Sequence, residues 1–141
     1  MLKVYSSVEK DVLLLSLVRR DEIETQRQDM SPDEEFLQVA TKKINAGDYF
    51  RPHRHLPCHK VANITQEAWV ILNGQVQGIF YDLDETKALE ITLNSGDCVV
   101  IFRGGHALRC LTDDTILYEF KTGPYYGAKQ DKIFLEVEDE L

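Results

Sequence analysis

Residues 67–81 read EAWVILNGQVQGIFY, two largely apolar runs divided by Asn73-Gly74. An Asn-Gly pair between alternating apolar residues is the strongest short-range signal of a β-hairpin, because a type I′ turn requires positive φ at both central residues. A two-residue turn also sets the register of the strands, and here it would place Trp69 opposite Gly78. We therefore predict a hairpin. The side chains that share one face of it would be Glu67, Trp69, Ile71, Val76, Gly78 and Phe80.

Short apolar runs divided by turn residues continue on both sides of this stretch. Residues 12–18 are aliphatic and predict a buried strand, and residues 36–44 predict a strand that ends in a turn at 45–48. Downstream strands are predicted at 88–93, 98–102, 106–111 and 115–121, the last two joined as a further hairpin through 112–114. Many short strands without a long amphipathic helix predict an all-β sandwich or barrel. Because the second face of 67–81 is also apolar, we expect the N-terminal strand or a second subunit to cover it, which favours a homodimer.

The composition of the 141-residue chain is that of one acidic globular domain, with 43% hydrophobic and 28% charged residues and a net charge of −8. An acidic surface repels phosphate backbones, so nucleic acid is not an expected partner. The longest apolar run, residues 12–18, is far shorter than the roughly 20 residues that a membrane-spanning helix needs, so no membrane is expected either. Cys58, Cys98 and Cys110 are odd in number and lack CxxC spacing, which is typical of reduced thiols. With no signal-peptide pattern at the start, a cytoplasmic location is expected.

A histidine pair lies upstream of the predicted hairpin, at His53 and His55. On an extended strand, side chains two residues apart point the same way, so both imidazoles can reach one point. A third histidine, His106, and one carboxylate, Glu67, would complete a mixed nitrogen and oxygen site. Such a ligand set suits a first-row transition metal.

Other side chains are candidates for contacting a substrate. Tyr49 and Arg51 share the strand parity of the histidine pair and are expected to line the same cavity, where Arg51 could hold an anionic group. Trp69 and Phe80 flank Glu67 on its own face and are candidates for the cavity wall, with plain core packing as the alternative. Arg103 lies beside the turn that precedes His106 and could reach the mouth of the cavity.

Two spacing patterns resemble those of a known family. Residues 47–74 contain the pattern G-x5-HxH-x11-E-x6-G, which resembles the first motif of the cupins. Residues 96–106 contain G-x5-FRGGH, which is similar to the second cupin motif. The gap between the histidine pair and Glu67 is longer than is usual in the family, and it contains Cys58 and His59, either of which could join the site.

The resemblance implies one cupin domain over residues 1–141, folded as a double-stranded β-helix, or jelly-roll barrel. Its N-terminal strands and arm would occupy 1–46, the cupin core 47–122 and a C-terminal extension 123–141. It also implies one divalent transition metal, Fe, Mn, Ni, Cu or Zn, inside the barrel. The ligands would be His53, His55, Glu67 and His106.

The expected function follows from the resemblance. A cupin with an open metal position is expected to be a metalloenzyme acting on a small polar or anionic molecule, for instance a sugar derivative in carbohydrate metabolism, by oxygenation or isomerisation. A non-catalytic binding or sensing module using the same cavity is the alternative, because cupins host many unrelated functions. A third reading is a metal-free sugar isomerase in which a histidine acts as the base.

Overall fold

The chain folds into antiparallel β-sheets in a computed structural model that describes residues 1–137. The first strands are β1 (Leu2–Tyr5), β2 (Leu13–Val18), β3 (Gln28–Asp29) and β4 (Ala40–Thr41), with a short 3-10 helix at Arg20–Glu22. The later strands are β5 (Glu67–Asn73), β6 (Gln75–Tyr81), β7 (Lys87–Asn94), β8 (Cys98–Ile101), β9 (Gly105–Cys110) and β10 (Ile116–Lys121). One helical turn, α1 (Ala128–Asp131), follows. The predicted all-β class is confirmed, and the described residues contain no helix with the length and apolar content needed to cross a bilayer.

Two sheets face each other. The larger has five strands in the order β1-β2-β8-β5-β10, and the smaller has three in the order β7-β6-β9. Their inner faces form one buried apolar cluster, since alternate side chains of each strand point to the same side of its sheet. Its members are Leu15, Leu17, Trp69, Ile71, Val99 and Ile101 from the larger sheet and Val76, Phe80 and Leu93 from the smaller.

The predicted hairpin of 67–81 is wrong. β5 pairs with β8 and β10, whereas β6 pairs with β7 and β9, so the chain passes from one sheet to the other at Asn73-Gly74. Gly74 has φ +80°, but Asn73 does not have a positive φ, and a type I′ turn requires both. Trp69 and Phe80 nevertheless share a core, because each strand turns this parity towards the space between the sheets.

The predicted hairpin through 112–114 is wrong for the same reason. β9 belongs to the smaller sheet and β10 to the larger, so this turn is a second crossing. A hairpin does join β6 and β7 through the turn after Tyr81, closed by a hydrogen bond from the amide of Asp82 to the carbonyl of Thr86 at 2.8 Å. Strand pairing therefore depends on contacts beyond the turns.

The N-terminal region is part of the sandwich. The predicted buried strand at 12–18 is confirmed as β2, every residue of which is buried between β1 and β8. The predicted strand at 36–44 is wrong, because only Ala40 and Thr41 pair there, with β3. The surrounding segment instead covers the outer face of the larger sheet, where Met30, Leu37 and Val39 pack against the cluster of Ala68, Val100 and Phe102.

Residues 42–66 form no strand or helix. The expectation that the histidine pair lies on a strand is therefore wrong in this structure. The segment has no partner strand, and its apolar side chains have no sheet face on which to pack; Tyr49, Leu56 and Val61 are all exposed. The regular core begins again at Glu67, and the ends of β5, β9 and β10 position the candidate site.

Candidate functional site

Glu67, the first residue of β5, is the centre of the site. Its carboxylate is buried and accepts a hydrogen bond from Nε1 of Trp69 to Oε1 at 2.5 Å. Nζ of Lys121 lies 3.3 Å from Oε2, and Nε2 of His106 lies 3.6 Å from Oε1. The register of β5 and β10 explains the lysine, because Lys121 is directly opposite Glu67. One buried anion thus has three nitrogen groups around it.

His106 faces the space between the sheets. It lies opposite Phe80 in the pairing of β6 and β9. Its imidazole meets the indole of Trp69 edge to face, with ring centroids 5.4 Å apart, and Trp69 in turn lies 5.9 Å from Phe80. The His106 side chain is 33% exposed, so it touches the core on one side and solvent on the other. A side chain that packs on the core and is also partly exposed can contact a bound ligand.

β9 and β10 are the edge strands of the smaller and the larger sheet, and a short turn joins them. Strand parity points alternate side chains of both strands inwards, and along this edge they remain partly accessible to solvent. We call this accessible edge of the sandwich the edge cleft. Its floor is Glu67, Trp69 and Phe80, and its rim is His106, Leu108 and Cys110 on β9 with Leu117, Glu119 and Lys121 on β10.

The charge of the edge cleft is negative. Lys121 is shared among Glu67, Glu119 at 3.1 Å and Asp131 at 4.0 Å, so three carboxylates surround one ammonium group. Burial raises the pKa of Glu67, but the contact with His106 and the hydrogen bond from Trp69 outweigh it and lower that pKa to about 2. Burial likewise lowers the pKa of Lys121, but its bonds to Glu119 and Glu67 outweigh this and raise it. A cluster of this sign favours a cation or an uncharged polar molecule over an anion.

The predicted metal ligands are brought together only in part. Glu67 and His106 are neighbours, whereas His53 and His55 lie on the exposed segment 42–66, with their rings edge to face at 5.6 Å. Within residues 1–137, no three side chains of His, Cys, Asp or Glu are grouped so that they could hold a metal ion. The four predicted ligands therefore do not fit a metal in this arrangement.

The other residues predicted to contact a substrate lie in two separate places. Trp69 lies beside Glu67, to which it donates a hydrogen bond, and Phe80 lies beside Trp69. Tyr49 and Arg51 line a shallow surface concavity of about 690 Å³ with Pro52 and His53. In the described part of the chain, neither of these two forms a hydrogen bond or ion pair with the edge cleft.

Arg103 has a different role from the predicted one. Its Nη1 lies 2.6 Å from Oε1 of Glu35, a buried carboxylate of the N-terminal segment. Oε2 of Glu35 accepts a hydrogen bond from Nε2 of Gln66, at 2.5 Å. Glu35 therefore ties together the chain before Glu67 and the turn before His106.

Sequence reasoning missed Lys121, Glu119, Cys110 and Glu35. The alternation of Leu117, Glu119 and Lys121 is visible in the sequence, but it does not show which face is inward until β10 is paired with β5. All three cysteines are free, as predicted, with Cys98 buried and Cys58 and Cys110 exposed.

Comparison with protein-family models, with curated proteins and with solved structures finds no match to this chain.

Proposed function

We propose that the chain is a small-molecule-binding protein with cupin-like jelly-roll architecture. In this proposal the edge cleft binds an uncharged polar molecule, such as a sugar derivative, and His106 with Glu67 moves a proton on it. The observation that carries the proposal is the His106 and Glu67 pair, with Nε2 and Oε1 3.6 Å apart, at the floor of a cleft between two sheets. Buried Trp69 and Phe80 make the floor of the edge cleft largely apolar, as is typical of a small-molecule site.

The path of the chain supports the jelly-roll part of the proposal. After β5 the chain crosses to the smaller sheet, makes the β6 and β7 hairpin, returns to the larger sheet as β8, and crosses twice more for β9 and β10. Repeated crossing between two antiparallel sheets is how a jelly roll wraps its strands around a common interior.

The proposed chemistry is isomerisation through a histidine base. The Glu67 carboxylate beside Nε2 orients the imidazole of His106, which leaves Nδ1 for the substrate. Nδ1 would take a proton from the carbon next to a carbonyl, and the C–H electron pair would move onto the carbonyl oxygen as an enolate. The proton of the hydroxyl on the first carbon would pass to the enolate oxygen. Return of the abstracted proton from Nδ1 to the former carbonyl carbon would then complete the isomerisation.

Deuterium exchange tests this function. The purified full chain is incubated in D2O with a panel of neutral aldoses and ketoses, and incorporation next to the carbonyl is followed by NMR. We expect His106→Asn to slow the exchange by about 10²-fold or more. Thr92→Ala, an exposed position on β7, is the control and should have no effect. Exchange at the same rate in His106→Asn would contradict the proposal, and sugar binding without any exchange would favour the sensing module.

Metal binding is a second candidate, supported by the edge of the smaller sheet. Among residues 1–137, β9 pairs only with β6, so its other edge can pair with a further strand. The smaller sheet has three strands, whereas the larger sheet has five. If residues 49–55 extended along β9 as a further strand, the histidine pair would come beside His106, and the negative charge of the edge cleft would attract a cation. We propose this arrangement as the state that binds a divalent transition metal, Fe, Mn, Ni, Cu or Zn.

Elemental analysis of protein purified without a metal-affinity tag tests the second candidate. We expect His53→Ala and His55→Ala to lose bound metal, while His59→Ala, on the same exposed segment, retains it. Less than about one tenth of an equivalent of any transition metal in the wild type would contradict the metal site.

A homodimer is supported by the outer face of β10. Ile116, Tyr118 and Phe120 are each at least half exposed there, and exposed apolar side chains in a row are typical of a contact surface. We propose that two copies meet on this face. Light scattering should then show a dimer that Tyr118→Lys dissociates, and a monomeric wild type would contradict the proposal.

A further inference from the structure

A second cleft lies at the same end of the sandwich, under the chain that follows β10. Residues 62–65, which lead into β5, form one wall, and residues 122–124 with Tyr126, Gln130 and Asp131 form the other. Its volume is about 410 Å³. This is within the range of pockets that hold small molecules, roughly 300–1,000 Å³. We call it the C-terminal cleft.

Hydrogen bonds between the walls hold the C-terminal cleft in shape. Oγ1 of Thr65 donates to Oδ1 of Asp131 at 2.6 Å. The amide of Gln66 donates to Oγ1 of Thr122 at 3.0 Å, and the amide of Thr122 donates to the carbonyl of Gln66 at 3.0 Å. The chain beyond β10 is thus fastened to the start of β5.

The groups around this cleft fit hydroxyl groups. The side chains of Asn63, Tyr126 and Gln130 form no hydrogen bond with any other residue in the range 1–137. Two carboxamides can each donate and accept, which matches the paired donors and acceptors of neighbouring hydroxyls. The ring of Tyr126 is 73% exposed and offers a flat apolar surface to the C–H face of a sugar. No lysine or arginine lines the cleft, so an anion is not the matching ligand.

Asp131 connects the two clefts. Its Oδ1 accepts the bond from Thr65, and its Oδ2 lies 4.0 Å from Nζ of Lys121, which contacts Glu67. A molecule that fills the C-terminal cleft therefore ends close to the charged floor of the edge cleft. A ligand with two linked hydroxyl-bearing units could occupy both.

We propose that the C-terminal cleft is a subsite for a second, uncharged sugar unit of the molecule whose first unit occupies the edge cleft. The proposal rests on the function proposed above and adds the substrate class: a reducing disaccharide, whose reducing unit occupies the edge cleft, rather than a free monosaccharide. Asn63 and Gln130 bind the hydroxyls of the second unit, and Tyr126 stacks on its ring.

The test compares neutral monosaccharides, D-glucose and D-galactose, with neutral disaccharides, maltose and lactose. Binding to the full chain is measured by calorimetry and by NMR shift changes. We expect at least one disaccharide to bind about tenfold more tightly than its monosaccharide, which is about 1.4 kcal/mol. Tyr126→Ala and Gln130→Ala should each remove most of that gain. Tyr125→Ala is the matched control, because this neighbouring exposed tyrosine does not line the cleft, and it should retain the gain.

The outcomes separate the two proposals. If the disaccharide has no advantage, or if Tyr126→Ala retains it, the subsite is wrong, while loss of deuterium exchange in His106→Asn would still support the edge cleft. If none of the sugars binds, the subsite and the sugar-binding function are both wrong. Loss of the advantage in Tyr126→Ala but not in Tyr125→Ala supports the subsite.

Discussion

Nε1 of Trp69 donates a hydrogen bond to Oε1 of Glu67, two residues earlier on the same strand. The indole therefore lies flat along the inner face of β5, where its ring also meets the imidazole of His106. Since the chain contains one tryptophan, its fluorescence reports on this site alone. Glu67 and His106 thus have an optical probe beside them.

Trp69 fluorescence should depend on His106. The imidazole meets the indole edge to face with ring centroids 5.4 Å apart, so replacing it changes the surroundings of the indole. We expect His106→Asn to shift the emission maximum, whereas Thr92→Ala on the exposed face of β7 should not. An unchanged emission in His106→Asn would show that the two rings do not meet.

The decrease in the free energy of unfolding at acid pH should depend on Glu67. Its pKa is about 2 in the folded chain against an ordinary value of 4.5. A carboxyl whose pKa is lowered by folding contributes stability that is complete above its ordinary pKa and is lost as pH falls towards the folded value. The free energy of unfolding should therefore fall between about pH 5 and pH 2, and less steeply in Glu67→Gln.

Asp82 provides the comparison for that experiment. Its pKa is also lowered to about 2: burial raises it, but hydrogen bonds from Ser6, Ser7 and the amide of Leu83 outweigh that effect. Asp82→Asn should remove a separate part of the pH dependence of the free energy of unfolding. In the double variant this free energy should depend less on pH than in either single variant. An acid slope unchanged by Glu67→Gln in urea titrations would contradict the charge placed on Glu67.

Glu35→Ala should destabilise the fold by about 2 kcal/mol, because it leaves Gln66 and Arg103 without their charged partner. Urea unfolding measures the loss. Arg27→Ala is the matched control, since Arg27 and Asp29 form an ion pair of 2.5 Å that is more than half exposed. Such a surface pair contributes at most about 1 kcal/mol. Equal losses in the two variants would show that Glu35 does not tie the segments together.

Gly74→Ala should cost more stability than Gly47→Ala. Both glycines have positive φ, +80° and +90°, so a left-handed alanine costs about 1–2 kcal/mol at either position. At Gly74 an added Cβ would also lie 2.6 Å from Oγ1 of Thr112 and of Thr115, whereas at Gly47 it would meet nothing within 4 Å. We expect a further loss of about 1 kcal/mol or more at Gly74 from this overpacking. Equal urea midpoints for the two variants would mean that the turn at Gly74 does not pack against Thr112 and Thr115.

Several elements could be predicted because their signals are local. The aliphatic run at 12–18 is a buried strand, and the positions of β5, β6, β7, β8 and β10 agree with the apolar runs between turn residues. Segment 42–66 could not be predicted in this way. The shared parity of Tyr49, Arg51, His53 and His55 supposes an extended strand, but a strand forms only where another strand provides hydrogen-bond partners, and none pairs with this segment here.

The candidate site was predictable to a similar extent. The motif spacing pointed to Glu67 and His106, which the structure places side by side, and the strand parity pointed to Trp69 and Phe80 next to them. Glu67, which follows the unusually long gap, has the most contacts of the four predicted ligands. His53 and His55 do not lie beside Glu67. Lys121 does lie beside it, but it belongs to neither of the two motifs.

The sequence alone determined which side chains of a strand share one face, because period-2 alternation is a property of each strand by itself. Trp69, Ile71, Val76 and Phe80 meet in the core whether or not their strands are paired. Only the tertiary structure decided which strands are neighbours. β5 is hydrogen-bonded on both edges, to β8 and β10, so β6 had to continue in the other sheet. That exchange of partners sets Lys121 opposite Glu67 and opens the edge cleft between β9 and β10, because backbone hydrogen bonding is satisfied over the whole sheet and not turn by turn.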